Sequence, residues 1–361
     1  MKKVLTVLLV ALMATGLTAC GPKKEAEATV KVALLIPFRG DQSYFDVVAN
    51  GMKLVTEQIE GSETTIIEMG TDQSKWENFY LDACEGDYDV IIGGNWEATP
   101  TFEKVIAQFP DKKFINFDNS AAPTNPNTYV MFYKANELGY LTGLVAGLVT
   151  KTDLEFSTAA ENVIGAIGGM EFSGINDFLY GYIQGAQAVN PDVKIIIGYA
   201  GSFSDAAKGK EIALNMYAAG ADIIFHAAGG TGNGLFDAAV EAQHYALGVD
   251  ADQALLFASD PAKQKMILTS GTKNVDLAIL QAVKRFMDGT LPYNTIEVLG
   301  IKENGVSLAE NDIYNALPAT IRDVVAAYKA KVVSGEIVVK NALSLTADEW
   351  NAIKASVAPV Q

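Results

Sequence analysis

The sequence predicts an α/β protein built as two consecutive, doubly wound parallel-sheet lobes. Three observations carry that prediction. Apolar, β-branched runs recur along the 361 residues, and their near-continuous apolar character suits strands covered on both faces of a parallel sheet. Stretches with helical spacing separate them. The alternation then starts afresh after residue 133, which divides the chain into two similar halves.

In the first half, residues 30–38, 64–69, 89–92, 113–117 and 128–133 read as strands, with helices over 45–59, 75–84 and 102–109. In the second half the strands are 163–167, 194–199, 222–226 and 245–249, and the helices are 174–189, 205–219 and 234–244. Pro191 follows Asn190 and ends one helix. A further strand is expected over 266–269 and a helix over 274–287; residues 291–361 are less regular and read as a wrap around the second lobe. The first lobe is therefore expected to comprise 30–130 plus about 270–290, and the second about 131–269 plus 291–361. The βα connections should be right-handed.

The N-terminus has its own pattern. Lys2 and Lys3 precede an apolar run, residues 4–12, that is too short to span a bilayer but suits a signal-peptide core. Leu17-Thr18-Ala19-Cys20-Gly21 follows. It resembles the lipobox of bacterial lipoproteins, which implies a signal peptide over 1–19, lipidation of Cys20 and a polar tether over 20–29. Several acyl chains, each contributing about 0.8 kcal/mol per buried CH2, would hold such a protein firmly on the extracytoplasmic face of the cell membrane.

Composition removes other classes. Hydrophobic content of 49% with 32 glycines is that of a globular α/β chain. A net charge of −16 argues against nucleic acid, which needs a basic face, and against peripheral binding to anionic lipid. Cys84 is the only cysteine besides Cys20, so the mature domain has no intramolecular disulfide. His226 and His244 are too few for a His-rich metal site. No cofactor and no metal are expected, and a monomer is.

Ligands of open α/β sheets bind outside the carboxyl ends of the strands. Those ends carry Asp41, Tyr44 and Phe45; Trp96; Asp118; Met170; Phe203; Gly229; Asp250; and Lys273. Aromatic faces, ionised acceptors and close backbone suit a flat, neutral ring bearing hydroxyls. Each residue also has a structural reading: the aromatics as core, Asp41 or Asp118 as helix caps, Lys273 as the partner of an acid. The run Gly229-Gly230-Thr231-Gly232-Asn233-Gly234 has neither the dinucleotide spacing nor the lysine of a phosphate loop.

Several blocks together resemble one family. They are Ala188-Val189-Asn190-Pro191-Asp192, Tyr199-Ala200-Gly201-Ser202-Phe203, the run from Gly220 through His226 to Gly232, and Gly248-Val249-Asp250-Ala251-Asp252-Gln253. With Pro110 to Phe114 and Glu137 to Gly143, they resemble the basic membrane protein family of bacterial lipoproteins, the purine nucleoside receptor type of ABC-transporter binding protein. The resemblance implies a type I periplasmic-binding fold with a multi-strand hinge and a nucleoside in the cleft. It implies Asp250 and Lys273 on the ribose, Asp118 on the base, Tyr44 and Phe203 as stacking rings, and an ABC permease as partner. Phe45 stands where many members have asparagine, Gln42 where lysine is usual and Gly40 where an acid is frequent. These departures concern the base rather than the ribose. A sensory receptor domain, or a binder of another small ring or sugar, is the alternative; an enzyme is disfavoured, because Ser43, Ser173 and Ser202 have no evident histidine partner and Asp250 and Asp252 alone are a weak version of the clustered carboxylates with which a nucleoside hydrolase binds calcium.

Overall fold

The structure is a computed structural model and describes residues 29–157, 160 and 162–359; the signal segment, Cys20 and most of the tether lie outside the described residues. Twelve described strands form two six-stranded sheets. β1 (Val30–Ile36), β2 (Ser62–Glu68), β3 (Val90–Gly94), β4 (Phe114–Phe117) and β5 (Thr128–Tyr133) belong to the first. β6 (Val163–Gly168), β7 (Lys194–Tyr199), β8 (Ala221–Ala227), β9 (Tyr245–Asp250) and β10 (Ile267–Lys273) belong to the second. β11 (Thr295–Leu299) closes the first and β12 (Val306–Leu308) the second. The orders are β2-β1-β3-β4-β5-β11 and β7-β6-β8-β9-β10-β12; every pairing is parallel except β10 with β12.

Helices fill the crossovers: α1 (Tyr44–Gln58), α2 (Trp76–Glu85), α3 (Thr99–Ile106), α4 (Ala135–Val149), α5 (Ser173–Val189), α6 (Ala206–Ala218), α7 (Asn233–Ala242), the short α8 (Gln253–Leu256) and α9 (Pro261–Gln264), and α10 (Val275–Met287). α11 (Asp312–Ala316), α12 (Ala319–Ser334) and α13 (Ala347–Val357) follow the last strand. The central strands β1, β3, β4, β6, β8 and β9 are buried almost throughout, which is why their sequences read as apolar runs.

Residues 295–299, read from the sequence as part of an irregular wrap around the second lobe, instead form the strand β11, which pairs with β5 in the first sheet. Its alternating Thr-Ile-Glu-Val-Leu is the pattern of a half-exposed edge strand, so it lacks the apolar signature of the buried ones. β10 also runs on to Lys273, past the polar residues Ser270 and Thr272 that masked its end. The chain therefore crosses between lobes three times: at Lys134, at Asn274 and over residues 300–305. The crossings are tied together. Lys134 N donates to Leu299 O, Asn274 N to Gly305 O, and Ile301 N to Glu137 Oε2 at 2.7 Å.

Helix α4 has no counterpart among the helices expected from sequence. Fourteen of its fifteen residues are buried, so it shows no polar face and no amphipathic period. It packs on α5 backbone to backbone. A Cβ on Gly139 or Gly143 would lie 1.9 Å or 2.1 Å from the carbonyl oxygens of Phe178 and Tyr182. Small residues at this spacing are what let two helices approach so closely.

Candidate functional site

A cavity of about 460 Å³ lies between the lobes at the carboxyl ends of both sheets. Asp41, Tyr44, Phe45, Trp96, Asp118, Phe203, Gly229, Asp250 and Lys273 all line it. Met170 does not: it is 38% exposed, and the turn it occupies sends Phe172 to the cavity instead. The wall also includes Asn95, one of the polar residues just after the third strand, and Phe38, Phe132, Tyr133, Phe178 and Asp177, which the strand-end argument did not single out. Phe38, Phe132 and Tyr133 lie at or next to strands and read as core; Asp177 and Phe178 sit on α5, behind the strand ends to which that argument looked.

Strand ends present their polar residues in an uncommon backbone conformation. Asn95, Asp118 and Asp250 have φ of +66°, +58° and +65°, the left-handed region that Asn and Asp tolerate best among residues with a Cβ. Gly229, at +53°, does the same at the end of β8, and its backbone passes beside Phe203. Each such turn redirects the chain so that the side chain at the strand tip reaches the cavity.

Lys273 is the electrostatic centre. It is 4% exposed, its ammonium lies 2.9 Å from Asp118 Oδ2, and the rings of Phe178, Tyr44 and Tyr133 surround it at 4.9, 5.1 and 5.7 Å. Tyr44 donates its hydroxyl to the same Asp118 oxygen at 3.1 Å. Burial, then the nearby Asp118 carboxylate, push the Tyr44 hydroxyl well above its ordinary pKa, so it remains a donor. A cation boxed by rings and a carboxylate is a buried charge with its compensation supplied from both lobes.

Asp250 is held differently. Its Oδ2 accepts from Ser43 Oγ at 3.0 Å, while its Oδ1 is buried and has no hydrogen-bond partner in the protein. Burial pushes the carboxyl up to about 6 against the pull of Lys273 and Ser43. Asp177, also pushed up to about 6 by burial, accepts from the backbone N–H groups of Asn136 and Ala342. Asn95 Oδ1 accepts from Glu97 N and Ala98 N, which fixes its amide and leaves the buried Nδ2 without a partner. Among the fully buried polar atoms of the cavity wall, Asp250 Oδ1 is thus a free acceptor and Asn95 Nδ2 a free donor.

Asp41 acts as a helix cap. Its carboxylate accepts from the backbone N–H groups of Ser43, Phe45 and Asp46, at the start of α1. Trp96 stacks on Phe172 with ring centroids 3.7 Å apart, a contact that joins the two lobes over the cavity. Cys84 is buried on α2 and its thiol is pushed up to about 12, so it is a packing residue. Among the described residues no group of three or more His, Cys, Asp and Glu side chains is placed to hold a metal ion.

Comparison with known proteins agrees with this architecture. The family model described as ABC transporter substrate-binding protein PnrA-like matches residues 29–342. The chain is 35% identical over 265 residues to the CD4+ T-cell-stimulating antigen of Listeria monocytogenes, covering 71% of each chain. It is 34% identical over 271 residues to the ABC transporter nucleoside-binding protein BmpA of Lactococcus lactis, covering 72% of this chain and 73% of that one. Basic membrane protein A of Borreliella burgdorferi is 32% identical over 354 residues, 94% of this chain and 96% of its own. Among solved structures, an ABC transporter solute-binding protein of Aeropyrum pernix superposes with a TM-score of 0.78 at 25% identity, covering 91% of this chain and 97% of that one. A two-lobed trap with three crossings, a cleft rich in aromatics and carboxylates, and a family match across nearly the whole described chain agree: this protein belongs to the PnrA-like family of ABC transporter substrate-binding proteins, and is not an enzyme.

Proposed function

We propose that this chain captures a nucleoside, with purine nucleosides first, outside the cytoplasmic membrane and delivers it to an ABC permease while tethered through lipid on Cys20. One observation carries the ligand class: the buried, unpartnered Oδ1 of Asp250 beside an aromatic-walled cavity of about 460 Å³. A buried acceptor without a partner costs about 1–3 kcal/mol, and a ligand hydroxyl donating to it recovers that cost. A sugar diol supplies such donors. Asn95 Nδ2 is a donor of fixed orientation and fits an acceptor on a planar base. The rings of Phe45, Phe172 and Phe203 give that base apolar faces to lie against. The Lactococcus lactis relative is named as a nucleoside-binding protein, which supports the same reading.

Thermal shift with a panel of nucleosides, free sugars and flavins tests the ligand. Inosine at a hundredfold excess over Kd should stabilise the chain by about 2.7 kcal/mol, and Asp250→Ala should remove most of that. No shift from any nucleoside, with a clear shift from a sugar alone, would move the ligand class to sugars. For the anchor, Cys20→Ala should move the protein from the membrane fraction to the soluble one.

A further inference from the structure

We propose that Gln253 is a positioning residue that latches the two lobes shut without touching the ligand. This rests on reading the fold as a two-lobed trap, and not on the nucleoside.

Gln253 opens α8 in the second lobe, is fully buried, and does not line the cavity. Its amide orientation is determined by its neighbours. Val249 N can only donate, and lies 2.9 Å from Oε1. The other amide atom, Nε2, is then the donor, and it lies 2.9 Å from the backbone carbonyl of Gln42 in the first lobe. His226 Nε2, 2.9 Å from Oε1, must therefore carry its proton and donate as well. His226 is fully buried, with Gly232 packed so closely that a Cβ there would lie 1.9 Å from its Nδ1, which confines the ring on that side. Gln253 N is in turn held by Ser270 Oγ at 3.1 Å.

The receiving carbonyl is as firmly placed. Gln42 has a left-handed φ of +54°, and the Asp46 carboxylate accepts from both Gly40 N and Gln42 N. Two ordered halves, one on each lobe, thus meet in this part-buried hydrogen bond, beside a 3.2 Å bond from Asn233 Nδ2 to the carbonyl of Asp41. The next residue, Ser43, makes the bond to Asp250 described above. Closure at Gln253 and registration of Asp250 therefore share one loop, so the latch aligns the acceptor in the cavity with the closed state. Because each half is ordered before the lobes meet, little side-chain entropy is lost on closing.

The separating variant is Gln253→Glu. Ionised, its carboxylate still accepts from His226 and Val249, so the second lobe keeps its internal bonds, but it cannot donate to the Gln42 carbonyl and sets oxygen against oxygen; a protonated acid would donate there in place of the amide, so the variant is read at pH 9. In the full-length chain without ligand, small-angle scattering should show Gln253→Glu more open than the parent, with circular dichroism unchanged. With inosine as probe, dissociation should quicken about tenfold while association changes little. Gln253→Leu, which also orphans the two donors, should show the same opening with a lowered melting temperature. Scattering curves identical for parent and Gln253→Glu would overturn the latch, whatever inosine does. Absence of binding to the parent by inosine and by every other nucleoside of the panel would instead sink the nucleoside reading, leaving the scattering to decide the latch.

Discussion

Replacing Asp250 by asparagine should make the unliganded protein more stable and its ligand binding worse. The carboxyl is fully buried, and burial raises it from the ordinary 3.8 to about 6. An acid that keeps its proton more readily in the folded chain favours folding below about pH 4 and loses that contribution as the pH climbs through 6. The displacement corresponds to about 3 kcal/mol withheld from stability at pH 7. Asparagine has nearly the same shape, accepts from Ser43 through its carbonyl, and has no charge to desolvate. Unfolding of the unliganded variant at pH 7 should therefore shift upward by about 5 °C, and the gain should fade toward zero at pH 4. The same change replaces a charge-assisted acceptor with a neutral amide. A hydrogen bond to a charged group contributes about 1.5–3 kcal/mol, so Kd should weaken by about 10- to 150-fold. Calorimetry of both proteins from pH 4 to 8, with and without inosine, reads both effects. A lower melting temperature for Asp250→Asn at pH 7, or a gain that persists undiminished at pH 4, would refute the argument that this acid is held at a cost for the sake of the ligand.

Lys273→Met should destabilise by about 1–3 kcal/mol in urea unfolding, because the half-buried Asp118 loses its cation and the ring box its charge. Gly143→Ala should cost more than about 4 kcal/mol and give little folded protein, since its Cβ would lie 2.1 Å from the Tyr182 carbonyl oxygen, a backbone atom that cannot step aside. Trp96→Ala should quicken ligand release by about three- to tenfold in stopped-flow measurements, with folding stability barely changed, as the stack on Phe172 joins the lobes at a partly exposed position.

The sequence alone carried most of the secondary structure of both lobes, because central parallel strands must be apolar on both faces and say so residue by residue. It also carried nine of the ten named strand-end positions that line the cavity, because topology places every strand tip at one edge of its sheet. It did not carry α4, whose burial on all sides erases the helical period, nor the return of residues 295–299 to the first sheet, a pairing between segments more than 160 residues apart. Only the tertiary structure assigned roles within the site. Asp41, Asp118, Asp177 and Asp250 are the same residue type in sequence. One caps a helix, one pairs with Lys273, one accepts from backbone, and one keeps an oxygen free. What separates them is which donors lie within about 3 Å, and those donors come from both lobes and from loops far apart in the chain. The latch at Gln253 was invisible for the same reason: its meaning lies in the carbonyl of Gln42, which no side-chain pattern encodes.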